Sequence, residues 1–458
     1  MSIDAMPSAE VPSRGASPLA DFHPTVQRWF AETLGAPTSP QVDGWPLIRS
    51  GRHVLIAAPT GSGKTLVVFL FALDGLLKQK AALRDETQIL YVSPLRALSN
   101  DVQKNLAGSL ARMREIDPSL PEVRVSVRTG DTPQREREQM KRRPPHVLVT
   151  TPESLYLLLT TGGGRKILAT VKTVIVDEVH AVVGDKRGSH LALSLERLVA
   201  LTGNVADRPG HEVQRIGLSA TQKPLADVAR FLVGAGRDCA LVDAGTYRKM
   251  DVAVELPPSE LQVVCSHEVW GEIYERVAQL VREHHTTLIF VNTRKLAERV
   301  SAQLSNLLGE ESVGCHHSSL SRERRLDAEM RLKEGRLKAI VATSSLELGI
   351  DVGDVDLAIQ IGATRTIATF LQRIGRSGHM VRKVPKGRLF PLTLDELSEA
   401  AGLMKSLFEG ELDKTPQPRA PLDILAQQIV AACVGEAWSE EGLYHACKRA
   451  WPYRELSR

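Results

Sequence analysis

The sequence predicts an α/β protein of two tandem domains, each built on a parallel sheet, with a short helical extension at the end. Short β-rich runs alternate with longer helical patterns, which is the signature of βαβ units. Most of the runs are apolar throughout, as expected of strands covered by helices on both faces. The series is interrupted once, between residues 235 and 260, where periodicity weakens around Gly245 and the Pro257-Pro258 pair before a second series begins.

Residues 1–20 are rich in Pro, Ser and Ala and lack the basic-then-apolar order of a secretory signal, so they read as a flexible tail. In the next stretch Phe22, Trp29 and Phe30 read as one apolar helical face, with stacking of Phe22 on a base as the alternative. Strands are expected at His53–Ala57, Ile89–Val92, 146–149, 171–176 and 213–218, forming a first domain over residues 21–243. A second domain, 244–410, is expected to hold strands at Thr287–Val291, Val313–His316, 338–342 and 355–361. Past Pro391 the pattern turns helical, and the stretch from Pro416 to Pro421 reads as a linker before an amphipathic segment. Residues 411–458 are short for an independent core, so they either pack on the preceding domains or begin a further one.

A chain of 458 residues, 43% hydrophobic and 24% charged, can bury two or three cores. Its apolar stretch at 66–77 is short and bears Asp74, which argues against a membrane span. Cys239, Cys265, Cys315, Cys433 and Cys447 lie far apart with no CxxC pair, which argues against a zinc site and for reduced thiols in a cytoplasmic protein. The His316-His317 pair likewise has no acid or cysteine at metal-ligand spacing. A formal net charge of +4 suits a polyanionic partner without identifying one.

The strongest chemical signal is Ala58-Pro-Thr-Gly-Ser-Gly-Lys64-Thr65 between a strand and a helix, a phosphate-binding P-loop in its proper context. Gly61, Ser62 and Gly63 turn backbone N–H groups onto phosphate oxygens, Lys64 reaches the β- and γ-phosphates, and the Thr65 hydroxyl serves Mg²⁺. Asp177-Glu178-Val179-His180 follows an apolar strand, where carboxylates are presented at the carboxyl edge of a sheet. Asp177 there would hold Mg²⁺ and Glu178 would polarise the attacking water.

With Ser219-Ala220-Thr221, these motifs resemble motifs I, II and III of superfamily 2 DExH helicases, whose two RecA-like domains share one ATP site. The remaining motifs follow in order. Ser93-Pro94-Leu95-Arg96, Thr129-Gly130-Asp131 and Thr151-Pro152-Glu153 are similar to motifs Ia, Ib and Ic, whose hydroxyls and helix N-termini suit sugar-phosphate contacts. Asn292-Thr293-Arg294 is similar to motif IV, and the segment from Thr343 through Gly349 and Asp351 to motif V, with Thr343 on the strand and Gly349 and Asp351 on the nucleotide. Gln372–His379 is similar to motif VI, in which Arg373 and Arg376 are expected on one helix face as arginine fingers. Gln41 stands where a Q-motif glutamine reads adenine, while Ser219, Thr221 and His180 are the groups expected to couple hydrolysis to movement.

The wording of motif V and Gly188-Ser189-His190 resembles the Lhr (large helicase-related) family over residues 22–458. That resemblance implies ATP and Mg²⁺ as cofactors, single-stranded or partly duplex DNA as partner, 3′-to-5′ translocation and a repair role. An RNA remodelling helicase and a catalytically dead nucleotide-binding scaffold are the alternatives; intact Lys64, Glu178, Arg373 and Arg376 argue against the scaffold. Two features depart from the pattern. His379 replaces the arginine common at the end of motif VI in DEAD-box proteins, and the chain ends where a winged-helix region is expected to begin, so duplex unwinding is expected to be poor.

Overall fold

The computed structural model describes residues 17–59, 61–203, 212–220, 222–245, 249–347, 353–378 and 384–458. The first sheet is formed by β1 (His53–Ala57), β2 (Ile89–Val92), β3 (Val125–Arg128), β4 (Val147–Thr150), β5 (Thr173–Val176), β6 (Gln214–Ser219) and β7 (Cys239–Asp243). The second is formed by β8 (Asp251–Val254), β9 (Thr287–Val291), β10 (Val313–His316), β11 (Ala339–Ala342), β12 (Leu357–Ile361) and β13 (Lys386–Phe390). Their spatial orders are β3-β4-β2-β5-β6-β1-β7 and β10-β11-β9-β12-β13-β8, and the strand pairs within both are parallel.

Apolar side chains from both faces of each sheet enter separate cores. Val54, Ile56 and Tyr91 face one core of the first domain, and Leu55, Leu90 and Val92 face the other. This two-sided burial is why the central strands read as unbroken apolar runs. The strands that periodicity missed are β3, β7, β8 and β13. β3 and β8 are half-buried edges, and β7 alternates, with Leu241 turned outward. β13 carries Lys386 and Arg388, and its Gly387 leaves room for Ile374, whose Cδ1 would lie 2.6 Å from an added Cβ. The interval 235–260 is therefore more than a connector: it contains the last strand of one sheet and the first of the next.

Phe22 is 3% exposed and packs edge-on against Trp45 at 4.9 Å, with the Arg49 guanidinium 4.2 Å above its ring. Together with buried Trp29 and Phe30 it anchors the N-terminal helices to the core, leaving no face for a base. At the other end, the helices Leu422–Gly435 and Glu440–Arg449 return from the second domain to the first. Leu425, Cys447 and Tyr453 join its core, and Arg197 donates to Gln428 Oε1 at 2.8 Å and to the Ala431 carbonyl at 3.1 Å. The extension thus packs on the motor. Among the described residues, no helix is long and apolar enough to cross a membrane.

Register places the motifs. Ala57 pairs with Ser219, and Val92 with both Val176 and Thr150, so the turns after β1, β2, β4, β5 and β6 emerge side by side. In the second sheet Ala342 pairs with His316 and Phe290, bringing Thr343, His317 and the β9 turn to one edge. Carboxyl ends of parallel strands are where such folds present their chemistry.

Candidate active site

After β1 the chain turns through Gly61 and Gly63, both in the left-handed region at φ 73° and 80°, and enters the helix Lys64–Leu77. Glycine is the residue for which that conformation carries no Cβ penalty. Gln41 is 2% exposed: its Oε1 accepts from the Thr38 amide at 2.9 Å and its Nε2 approaches the Gly63 carbonyl at 3.5 Å. Thr38 Oγ1 in turn donates to the Ser62 carbonyl at 2.9 Å. Thr38 and Gln41 therefore brace the loop from behind.

Lys64 is buried, and its Nζ lies 3.3 Å from Glu178 Oε2. Asp177 Oδ1 accepts from the Glu178 amide at 2.9 Å, and its Oδ2 takes the Tyr91 hydroxyl at 2.5 Å. Burial, with the neighbouring charge of Glu178, raises Asp177 to about 7. Burial also pulls Glu178 upward, but nearby positive charge, Lys64 first and Arg376 with it, outweighs it and leaves that carboxyl below its usual range. Glu178 itself sits at φ 45°, a backbone conformation uncommon for any residue but glycine.

His180 accepts the Ala220 amide on Nδ1 at 3.0 Å, with Ser219 Oγ at 3.4 Å and Glu178 Oε2 at 3.4 Å from the same atom. Burial depresses its pKa to about 4; Lys64 and Arg376 push the same way against Glu178. The ring is thus neutral, with its proton on Nε2. It is bonded to the turn after β6 and lies against Glu178 without a proton to share with it. Thr221, the other expected coupling residue, lies outside the described residues, as do Gly349, Asp351 and His379.

The second domain faces this cluster with Arg376, which is 1% exposed. Burial lowers its pKa, and the charges of Glu178 and Glu347 oppose that shift, so the guanidinium lies within electrostatic reach of a carboxylate from each domain. The two motif VI arginines do not share a helix face. The helix Ile367–Ile374 ends before Gly375, and Arg376 stands on the turn beyond it. Arg373 is held inside its own domain: Nε donates to Glu347 Oε1 at 2.7 Å, Nη1 to Asn292 Oδ1 at 3.2 Å and to Gln360 Oε1, with Phe290 beneath at 5.2 Å.

The expected strand-contacting residues gather on the carboxyl edges of both sheets, but their side chains differ in availability. Ser93 is fully buried with Oγ on the Leu95 carbonyl at 3.2 Å, while Thr151, preceding Pro152, caps its helix through the Ser154 amide at 3.4 Å. Thr129 is buried, and its amide donates to Thr132 Oγ1. Arg96 lies over Gly130 and pairs with Asp131 at 2.6 Å, largely exposed. Asn292, Thr293 and Arg294 are exposed, and Thr343 is half-buried beside them. His316 is bound by Ser345 Oγ at 2.8 Å and Glu329 Oε1 at 3.0 Å, whereas His317 Nε2 lies 3.2 Å from Glu298.

Tyr91, Glu347, Gln360 and Thr38 belong to the site although sequence reasoning passed over them. Tyr91 had a signal: a hydroxyl inside a fully buried central strand needs a partner. The others act over long sequence distances that spacing does not reveal. As for a metal, Asp177 and Thr65 offer hard oxygen donors, and two buried carboxylates share Lys64 as their near cation; that donor set fits a small divalent ion.

Comparison with known proteins agrees with this geometry. The DEAD/DEAH box helicase family matches residues 38–228, the helicase conserved C-terminal domain residues 272–381, and the large helicase-related protein winged helix domain residues 405–458. An ATP-dependent helicase Lhr-Core of Methanocaldococcus jannaschii is 42% identical over 94% of this chain and 51% of its own length. An Lhr helicase and probable uracil glycosylase of Mycolicibacterium smegmatis is 40% identical over 97% of this chain and 32% of its own. The structure of Mycobacterium smegmatis helicase Lhr bound to ssDNA and AMP-PNP superposes with a TM-score of 0.87 at 42% identity, covering 97% of this chain and 57% of that one. The chain spans about half the length of the Lhr-Core relative, or less than that of the longer ones. Motor motifs, fold and winged-helix match together place the chain in the Lhr family of superfamily 2 helicases, of which it carries the motor portion and a winged-helix segment.

Proposed function

We propose that this chain is an ATP-driven motor that moves along single-stranded DNA, with 3′-to-5′ polarity and a role in repair as the family resemblance implies. The observation that carries the reading is Arg376: a buried cation of the second domain whose charge acts on Glu178 of the first. A site completed only when two domains meet can convert hydrolysis into relative movement. The relative bound to ssDNA and AMP-PNP supports DNA as the strand.

The P-loop amides and Lys64 hold the β- and γ-phosphates of ATP. Mg²⁺, held by Thr65 and Asp177, would neutralise charge on the phosphate oxygens when bound. Glu178, ionised at neutral pH, orients water for in-line attack and accepts its proton, while Arg376 stabilises charge that develops on the transferred phosphoryl. Neutral His180 accepts from Ala220 on Nδ1, with Ser219 Oγ beside it, and the same atom lies 3.4 Å from Glu178 Oε2 with no proton between them. A change of charge or position at the carboxylate is therefore felt next to the turn after β6. Phosphate-directed contacts would give low sequence specificity and strong salt dependence.

ATP turnover measured with no nucleic acid, with single-stranded DNA and with single-stranded RNA tests the reading. Stimulation by DNA above RNA is expected. Preference for RNA would make the chain an RNA remodelling motor, and absence of turnover under every condition would make it a scaffold.

A further inference from the structure

Residues 410–417, which lead from the second domain back to the first, touch both halves of the cleft. Toward the second domain, Asp413 Oδ2 accepts from the Ile367 amide at 2.6 Å and the Ala368 amide at 3.3 Å. These are the opening N–H groups of the helix Ile367–Ile374, and a carboxylate there also meets the positive end of the helix dipole. The same helix carries Arg373 and leads directly into the turn that holds Arg376.

Toward the first domain, Lys414 forms a parallel bridge with Lys223, whose Nζ donates to the Gly410 carbonyl at 3.0 Å. Thr415 Oγ1 donates to Gln222 Oε1 at 3.0 Å, and Gln417 Nε2 to the Asp227 carbonyl at 3.0 Å. Gln222 and Lys223 follow closely on Ser219-Ala220, the turn that His180 contacts. Gly184, the residue after the helix His180–Val183, also lies against this segment: an added Cβ would come 2.9 Å from Thr415 Cγ2. One short stretch therefore meets the ends of the second, third and sixth motif elements.

We propose that residues 410–417 form a strap that sets where Arg376 stands across the cleft, with Asp413 as its positioning residue. The inference rests on Arg376 being the cleft-crossing charge and assigns control of that charge to a segment outside the helicase motifs. A helix of 8 residues, about 12 Å long, moves as a rigid rod, so displacing its start displaces the turn at its end. The strap also gives the domains a second covalent crossing besides the one between β7 and β8. Opening of the cleft must therefore stretch, release or carry along the Asp413 and Thr415 contacts.

The test uses the whole chain and compares wild type with Asp413→Ala, Asp413→Asn and Thr415→Val for DNA-stimulated ATP turnover, KM for ATP, nucleotide affinity and thermal midpoint. Both Asp413→Ala and Thr415→Val should lower kcat, by roughly tenfold for the former given how steeply turnover depends on placement of a transition-state group. KM, nucleotide affinity and midpoint should stay near wild type. Asp413→Asn retains an acceptor oxygen and should recover most of the turnover. Wild-type kcat in both Asp413→Ala and Thr415→Val, or a loss confined to KM, overturns the strap while leaving the motor reading intact. An inactive wild-type chain overturns both. Should Asp413→Ala not fold, Thr415→Val decides alone, since it removes a hydroxyl without changing side-chain shape.

Discussion

The two halves of the cleft are built differently. In the first domain Lys64, Asp177, Glu178, Tyr91 and His180 lie within 2.5 to 3.4 Å of one another through successive contacts, in or just after strands β1, β2 and β5 of one sheet. In the second, Arg376 stands on a turn after a short helix whose start is tied by Asp413 and whose end is tied by Arg373. The first half is preorganised by its own sheet. The second depends on contacts at both ends of that helix, so damage to the first should remove chemistry outright, as should loss of Arg376 itself, while damage to the contacts that place Arg376 should weaken turnover by degrees.

Lys64→Ala should show the largest effect. It removes the point charge that meets the phosphates and leaves Glu178 buried without its near cation, so ATP binding and turnover should both vanish in nucleotide titration and steady-state assays. Glu178→Gln comes next: nucleotide affinity should persist while hydrolysis falls ~10²-fold or more, because the amide cannot take the water's proton. Normal turnover in that variant would break the contrast between the halves at its strongest point.

Arg373→Ala should act more mildly on chemistry and more on the second domain. Its guanidinium joins Glu347, Gln360 and Asn292 within one domain, and truncation takes the buried partner from a Glu347 side chain that is only 13% exposed; a stability loss of about 3 kcal/mol is expected, read by denaturant unfolding, with turnover reduced less than in the Glu178 variant. Tyr91→Phe should be smallest. Deleting one hydrogen bond to a carboxyl that burial raises to about 7 costs about 1–2 kcal/mol of stability and should change turnover only a few-fold, since Asp177 keeps the Glu178 amide.

The same division governs what the sequence could tell. Local signals revealed the P-loop and Asp177-Glu178 because glycines, a lysine and paired acids follow apolar strands at fixed spacing, and the structure places them at one sheet edge. The apolar face of Phe22, Trp29 and Phe30 was equally readable. Edge strands β3, β7 and β8 were not, because half-buried strands carry polar residues that blur the pattern. Arg373 and Arg376 looked equivalent at a spacing of three; the helix end at Ile374 separates them, and partners distant in sequence fix Arg373. Gln41 matches a nucleotide-reading glutamine by position, and its contacts with Thr38 and Gly63 are ones that position alone does not reveal. The strap had no signal at all, since an aspartate just before a linker gains meaning only from the helix it meets.

The central claim is that one ATP site is completed by a charge from the opposite domain. The most direct test is DNA-stimulated ATP turnover of Arg376→Ala measured beside its ATP affinity. The account predicts near-wild-type affinity with turnover down by ~10³-fold, the usual effect of removing an arginine finger. Turnover within about tenfold of wild type, too small a loss for such a finger, would contradict it.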